Sequence, residues 1–338
     1  MRPRWPWLVV LPLAIAVAVL AVAWSTDSVR PASAADVLGP VPVPADNPQS
    51  PEKVALGSLL FFDPRLSGPN TVACGTCHQP GKGLSDGLPR SIGVNGELHR
   101  NAMTVWNAAY MQTLHSDGNR ASLEEQAAKG ITGPAMAQTI PELIAELGAI
   151  PEYRRRFADV FPDGITHDNI AKAIAAFERT LLTFNSPFDR YRAGDRHALT
   201  AEQKEGMDLF FSARTGCSSC HVAPLFTDNR WHNLGVPRVG PRAVDNGRAD
   251  FTKDPADTGA FKTLMLRNVE LTGPYMHDGV FTTLEQVVAF YVGGGAPVPH
   301  KSPLMKPLDL NAREQKALVA FLRSLTDRTA RVDVPPLP

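Results

Sequence analysis

The sequence predicts a mainly α-helical protein made of two similar lobes with long irregular loops. Three observations carry that expectation. The order helix, Cys-x-x-Cys-His pentad, irregular loop and later helices occurs twice along the chain. Apolar residues recur at helical spacing in most regular stretches, and strand-like alternation is scarce. The two pentads, Cys74-Gly75-Thr76-Cys77-His78 and Cys217-Ser218-Ser219-Cys220-His221, use all four cysteines.

The elements follow in order. Residues 35–50 are rich in Pro, Ala and Asp and read as an extended lead-in. Pro51 to Phe62 reads as a helix, with proline at its start. Asp63 to Arg100, dense in Gly, Pro, Ser and Asn, reads as loop and contains the first pentad. Ser122 caps a helix to Lys129, with Glu125 three residues on. Helices are expected over Thr139 to Ile150, Pro151 to Val160 and, as the longest, Thr166 to Asn185. The last has Ile170, Ala173, Ile174, Phe177, Leu181 and Leu182 at helical spacing. Ser186 to Leu199 reads as a polar linker, which places lobes at 35–190 and 191–338. Thr200 to Ala213 is a helix running into the second pentad. An irregular stretch covers Val222 to Phe261, and helices close the chain at Thr282 to Tyr291 and Asn311 to Leu325.

The 338 residues are 43% hydrophobic and 20% charged, a globular balance, and the formal net charge is zero. No electrostatic case exists for binding nucleic acid or an anionic membrane surface. The N-terminus reads as an export signal. Arg2 and Arg4 precede an apolar run from Leu8 to Trp24, and Ala32-Ser33-Ala34 fits a cleavage site, so residues 1–34 are expected to be removed and the protein to reach the periplasm. An uncleaved N-terminal anchor is the alternative, for which the run is short.

Four cysteines in an exported chain ordinarily suggest two disulfides. The pentads suggest other chemistry. One zinc site from four thiolates would leave the two adjacent histidines without a role. Thioredoxin-like pairs would need a strand-helix-strand setting, which is missing here. Covalent attachment of two c-type haems accounts for the thiols and the histidine together, since the thiols bond the porphyrin edge and the histidine reaches the iron. His78 and His221 are then the proximal ligands. What stands opposite them decides whether each iron only moves electrons or also binds peroxide.

Blocks spread over residues 38–326 resemble the bacterial dihaem cytochrome c peroxidase and MauG family. They include Leu56-Gly-Ser-Leu-Leu-Phe-Phe-Asp-Pro-Arg-Leu-Ser67, His99-Arg-Asn101, Leu123-Glu-Glu-Gln126 and Ala175-Ala-Phe-Glu-Arg-Thr-Leu181. Leu266-Arg-Asn-Val-Glu-Leu-Thr-Gly-Pro-Tyr-Met-His-Asp-Gly279 and Thr283-Leu-Glu-Gln-Val-Val-Ala-Phe-Tyr291 complete the set. The resemblance implies two cytochrome c-like domains and a calcium ion held by Asn101 and the carbonyls of Thr272 and Pro274. It implies Tyr291 as the distal ligand of the second haem, as in MauG-like members, and an orienting role for His277. It also implies hydrogen peroxide as oxidant, a small cytochrome or cupredoxin donor or a protein substrate, and a homodimer.

Two positions depart from the family. Gln126 matches a family glutamine, but Met136 stands where an acid-base glutamate is expected, and a thioether cannot shuttle a proton. Ser116 stands where a tryptophan relay is expected. His115 is a substitute base by residue type, and Trp106 reads as core. These departures leave two expectations, a peroxide-dependent oxidoreductase and a non-enzymatic dihaem electron carrier, with a haem sensor as a third.

Overall fold

The computed structural model describes residues 38–238 and 244–338. The expected export segment, residues 1–34, lies outside them. Among the described residues there are eleven helices: α1 (Pro51–Phe62), α2 (Cys74–Cys77), α3 (Leu123–Thr132), α4 (Ile140–Ala149), α5 (Pro151–Val160), α6 (His167–Glu178), α7 (Pro187–Arg192), α8 (Ala201–Phe211), α9 (Ala249–Thr252), α10 (Leu284–Gly293) and α11 (Ala312–Arg323). Strand is confined to two antiparallel pairs, β1 (Ile92–Gly93) with β2 (Gly96–Glu97) and β3 (Trp231–His232) with β4 (Phe261–Lys262). None of these helices is long and apolar enough to cross a membrane.

Local chemistry starts most of the helices. Ser122, Thr166, Thr200, Thr283 and Asn311 each accept a hydrogen bond from a backbone N–H three residues on, which satisfies one of the donors a helix start leaves free.

Two helix pairs form the frame, and they are copies of each other. α1 crosses α6 at Gly57, where an added Cβ would lie 1.9 Å from the Ala173 carbonyl oxygen and 2.9 Å from Phe177 Cβ. α8 crosses α11 at Gly206, with the same two distances to Ala317 and Phe321. Only a residue without a side chain lets these backbones approach so closely. One turn beyond each glycine stands a phenylalanine facing the pentad histidine. The Phe61 and His78 rings are 6.3 Å apart, and those of Phe210 and His221 are 6.4 Å apart. Each pair anchors its own apolar core, around Leu56, Leu60, Tyr153 and Phe157 in one lobe and Phe188, Phe226, Leu318 and Phe321 in the other.

The structure corrects two expectations. The helix expected to reach Asn185 stops at Glu178. Beyond it the backbone is taken by tertiary partners: the Leu181 carbonyl accepts from Asn107 N at 2.8 Å, and Thr183 N donates to Asn107 Oδ1 at 2.9 Å. The polar stretch Ser186 to Leu199 is not a free linker. It opens with α7, whose Ser186 and Asp189 cap each other. Asp189 is buried because Arg267, 1% exposed, pairs with both its carboxylate oxygens at 2.8 Å. The expected boundary at residue 190 therefore falls inside a helix.

Candidate haem sites

A cavity of about 1100 Å³ reaches both pentads, larger than the ~300–1,000 Å³ of an ordinary small-molecule site. His78 and His221 are held identically. Nδ1 of His78 donates to the Leu84 carbonyl at 3.1 Å, and Nδ1 of His221 donates to the Phe226 carbonyl at 2.9 Å. Leu84 and Phe226 adopt positive φ, +58° and +61°, a region bulky side chains avoid. Fixing the proton on Nδ1 leaves Nε2 as the free donor atom, the arrangement a metal-binding imidazole needs. Burial lowers both histidines' pKa values, which keeps them neutral. None of the four cysteines is in a disulfide, and all stand half-buried at the cavity wall.

Haem fits this set. Each pentad offers two thiols and one oriented imidazole, and the walls carry polar atoms with nothing to bond: Arg90 Nε and Gln126 Oε1 are buried without hydrogen-bond partners. A buried N–H and a buried amide oxygen left unpaired are costly, and a ligand with carboxylates at its edge would satisfy the Arg90 N–H.

Residues far apart in sequence meet here. Tyr291, on the last turn of α10, lines the cavity, and the Cys217 and Cys220 thiols and, above all, burial push its phenol pKa up. That places it beside the second pentad. α3 is the counterpart of α10: Gly130 follows the cap Ser122 by eight residues, as Tyr291 follows Thr283. Where the second lobe presents a phenol, the first presents a hydrogen atom. A Cβ added at Gly130 would lie 3.7 Å from Gln126 Nε2, so Gln126 is the side chain nearest that gap.

Met136 lines the same cavity and is 5% exposed. Its carbonyl accepts from Gly68 N at 2.9 Å. His115 also lines it, and burial lowers its pKa to about 4, so the imidazole is neutral at pH 7. Ser116 is buried, and its hydroxyl accepts from Arg100 Nη1 at 2.9 Å. Arg100 also grips Asp245 through two bonds of 2.8 Å. His277 stacks flat on Phe261, with ring centroids 3.9 Å apart and planes 8° apart. Trp106 is 5% exposed and belongs to the first core.

Asn101, Thr272 and Pro274 come together at the cavity. The Asn101 amide donates to the Pro274 carbonyl at 3.0 Å and the Met276 carbonyl at 2.8 Å. A cluster of carbonyl oxygens beside an amide that can turn its own oxygen inward is the donor type calcium takes.

Sequence reasoning passed over Glu178. It lines the cavity from α6 and is 6% exposed, with one carboxylate oxygen unpaired. The available signal was a lone acid closing an apolar helix face.

Comparison with known proteins agrees with this fold. The family model for di-haem cytochrome c peroxidase matches residues 51–197. A cytochrome-c peroxidase, IdrP1 of a Pseudomonas species, is 40% identical over 94% of this chain and 92% of its own. The methylamine utilization protein MauG of Methylorubrum extorquens is 42% identical over 88% and 85% of the two chains. A crystal structure of a MauG-like protein associated with microbial copper homeostasis superposes with a TM-score of 0.81 at 35% identity, covering 86% of this chain and 94% of that one. With two matching pentads in two copied lobes and relatives aligned over nearly their whole length, the chain belongs to the di-haem cytochrome c peroxidase and MauG family, haem-dependent oxidoreductases that carry two haems c.

Proposed function

We propose that this protein is a periplasmic, peroxide-dependent oxidoreductase in which the two lobes divide the work. Cys74, Cys77 and His78 would hold one haem, and Cys217, Cys220 and His221 the other. When bound, the haems supply irons that exchange single electrons and, at the first site, a position where peroxide can bind. The observation that carries this reading is the asymmetry between Tyr291 and Gly130.

The chain's own residues do the rest. With a haem held by His221, Tyr291 would occupy the space near the second iron and leave that site to electron transfer. At the first site Gly130 would leave room for peroxide, and Gln126, whose amide nitrogen lies nearest that glycine, would offer an N–H to an incoming oxygen. His115, neutral at pH 7, can accept a proton. Reduction of hydrogen peroxide to two waters takes two electrons and two protons. The electrons would come one at a time from a small cytochrome or cupredoxin, or from a protein substrate. Ferric-state absorption and electron paramagnetic resonance spectra should show one high-spin and one low-spin haem, with the high-spin signal lost on adding peroxide. Two low-spin haems that ignore peroxide would sink the reading.

Calcium would sit among Asn101 and the Thr272 and Pro274 carbonyls and tie the first lobe's loop to the second's. Chelation of the holoprotein should lower its melting temperature, and added calcium should restore it. A melting temperature indifferent to both would remove calcium from the site.

A further inference from the structure

We propose that Glu178 is the proton-holding group of the first haem pocket, taking up a proton when the iron bound by His78 gains an electron and releasing it when that electron leaves. This rests on the first pentad holding a redox-active iron and goes beyond it by assigning a linked protonation site.

The two lobes supply an internal comparison. Ala173 and Phe177 of α6 occupy the places of Ala317 and Phe321 of α11, against Gly57 and Gly206 respectively. The residue after each phenylalanine lines the cavity: Glu178 in the first lobe, Leu322 in the second. The second pocket is apolar at this place and the first carries a carboxyl. Glu178 is 6% exposed, and its Oε2 has no hydrogen-bond partner. An unpaired buried carboxylate is costly, so the protonated acid is favoured at the place where the other lobe has leucine.

The charged groups around it do not neutralise it. Arg179, the residue that caps the end of α6, turns away to Glu124 Oε1 at 2.8 Å and to the Pro42 carbonyl at 3.1 Å. From α3, Glu124 opposes ionisation of Glu178. From α2, the Cys74 thiol lies close enough to feel Glu178, and thioether formation would remove its proton altogether. On α1, Lys53 is engaged by Asn47 Oδ1 at 2.9 Å and the Pro48 carbonyl at 2.7 Å. Burial, only partly offset by Arg179, raises the Glu178 pKa to about 8. A neighbouring positive charge favours the carboxylate. The oxidised iron has one more positive charge than the reduced iron, so oxidation lowers this pKa and reduction raises it. The step balances: a one-electron donor converts ferric to ferrous iron, and one proton from solvent bonds a Glu178 oxygen.

The test is a redox titration of the holoprotein from pH 6 to 9, following each haem by its own absorption and paramagnetic signals. The first haem's midpoint potential should fall by about 59 mV per pH unit, one proton per electron, across part of that range. Glu178→Gln should flatten this slope and leave the second haem's profile unchanged. Glu178→Leu, which copies Leu322, should do the same and serves if the glutamine variant does not fold. A first-haem slope that survives either folded variant overturns the proposal, as does loss of slope at both haems alike. A first pentad without any titrating haem would instead overturn the proposed function.

Discussion

Met136→Glu should raise peroxide turnover by about 10²–10⁴-fold, the contribution typical of a positioned acid-base group. Met136 shares the cavity wall with Gln126 and is almost fully buried. Its backbone is tied to Gly68 and Gly133 by bonds of 2.9 and 3.1 Å, so the substitution changes the side chain and little else. Burial should raise the new carboxyl's pKa towards neutrality, where a group can both give and accept a proton. Steady-state turnover with a one-electron dye as donor is the measurement. Unchanged turnover in a folded, fully haem-loaded variant would mean that residue 136 does not face the peroxide. The native thioether implies that this protein depends on other groups for proton movement; Glu178 and the neutral His115 are two cavity residues with that chemistry.

Breaking the Arg267–Asp189 pair should cost about 3–5 kcal/mol, the range for stranding one partner of a buried ion pair. Arg267 is among the most deeply buried side chains, and its guanidinium satisfies two carboxylate oxygens and the Pro224 carbonyl at 2.8 Å each. Arg267→Met leaves Asp189 uncompensated; Arg267→Met with Asp189→Leu should recover most of the loss. Denaturant unfolding of the holoprotein reads both. Pro224 lies three residues beyond His221, so the single variant should also lower haem content at the second pentad. A single variant as stable as the parent would show that the pair is not a keystone of this lobe.

Much of the fold was legible because its determinants are local. Caps at Ser122, Thr166, Thr200, Thr283 and Asn311 mark helix starts within four residues of sequence, and the apolar spacing of α6 and α11 identifies their buried faces. Helix ends were less legible. α6 continues its apolar pattern to Leu182, yet Asn107 takes the backbone groups of Leu181 and Thr183, and that competitor is more than seventy residues away. Ser186 to Leu199 counts Asp189 among its many polar residues; only the arrival of Arg267 makes that acid an interior residue.

By itself the sequence determined the two pentads, their exclusive use of cysteine and the helices that frame them, because thiols and imidazole lie within five consecutive residues and helix signals act over a few turns. The resemblance carried by the sequence already pointed Tyr291 at the second haem; only the tertiary structure showed that Glu178 and Leu322, each following a phenylalanine at a helix crossing, line the cavity with opposite chemistry. Those differences come from side chains delivered by helices distant in sequence, and close approach at Gly57 and Gly206 sets where the helices deliver them.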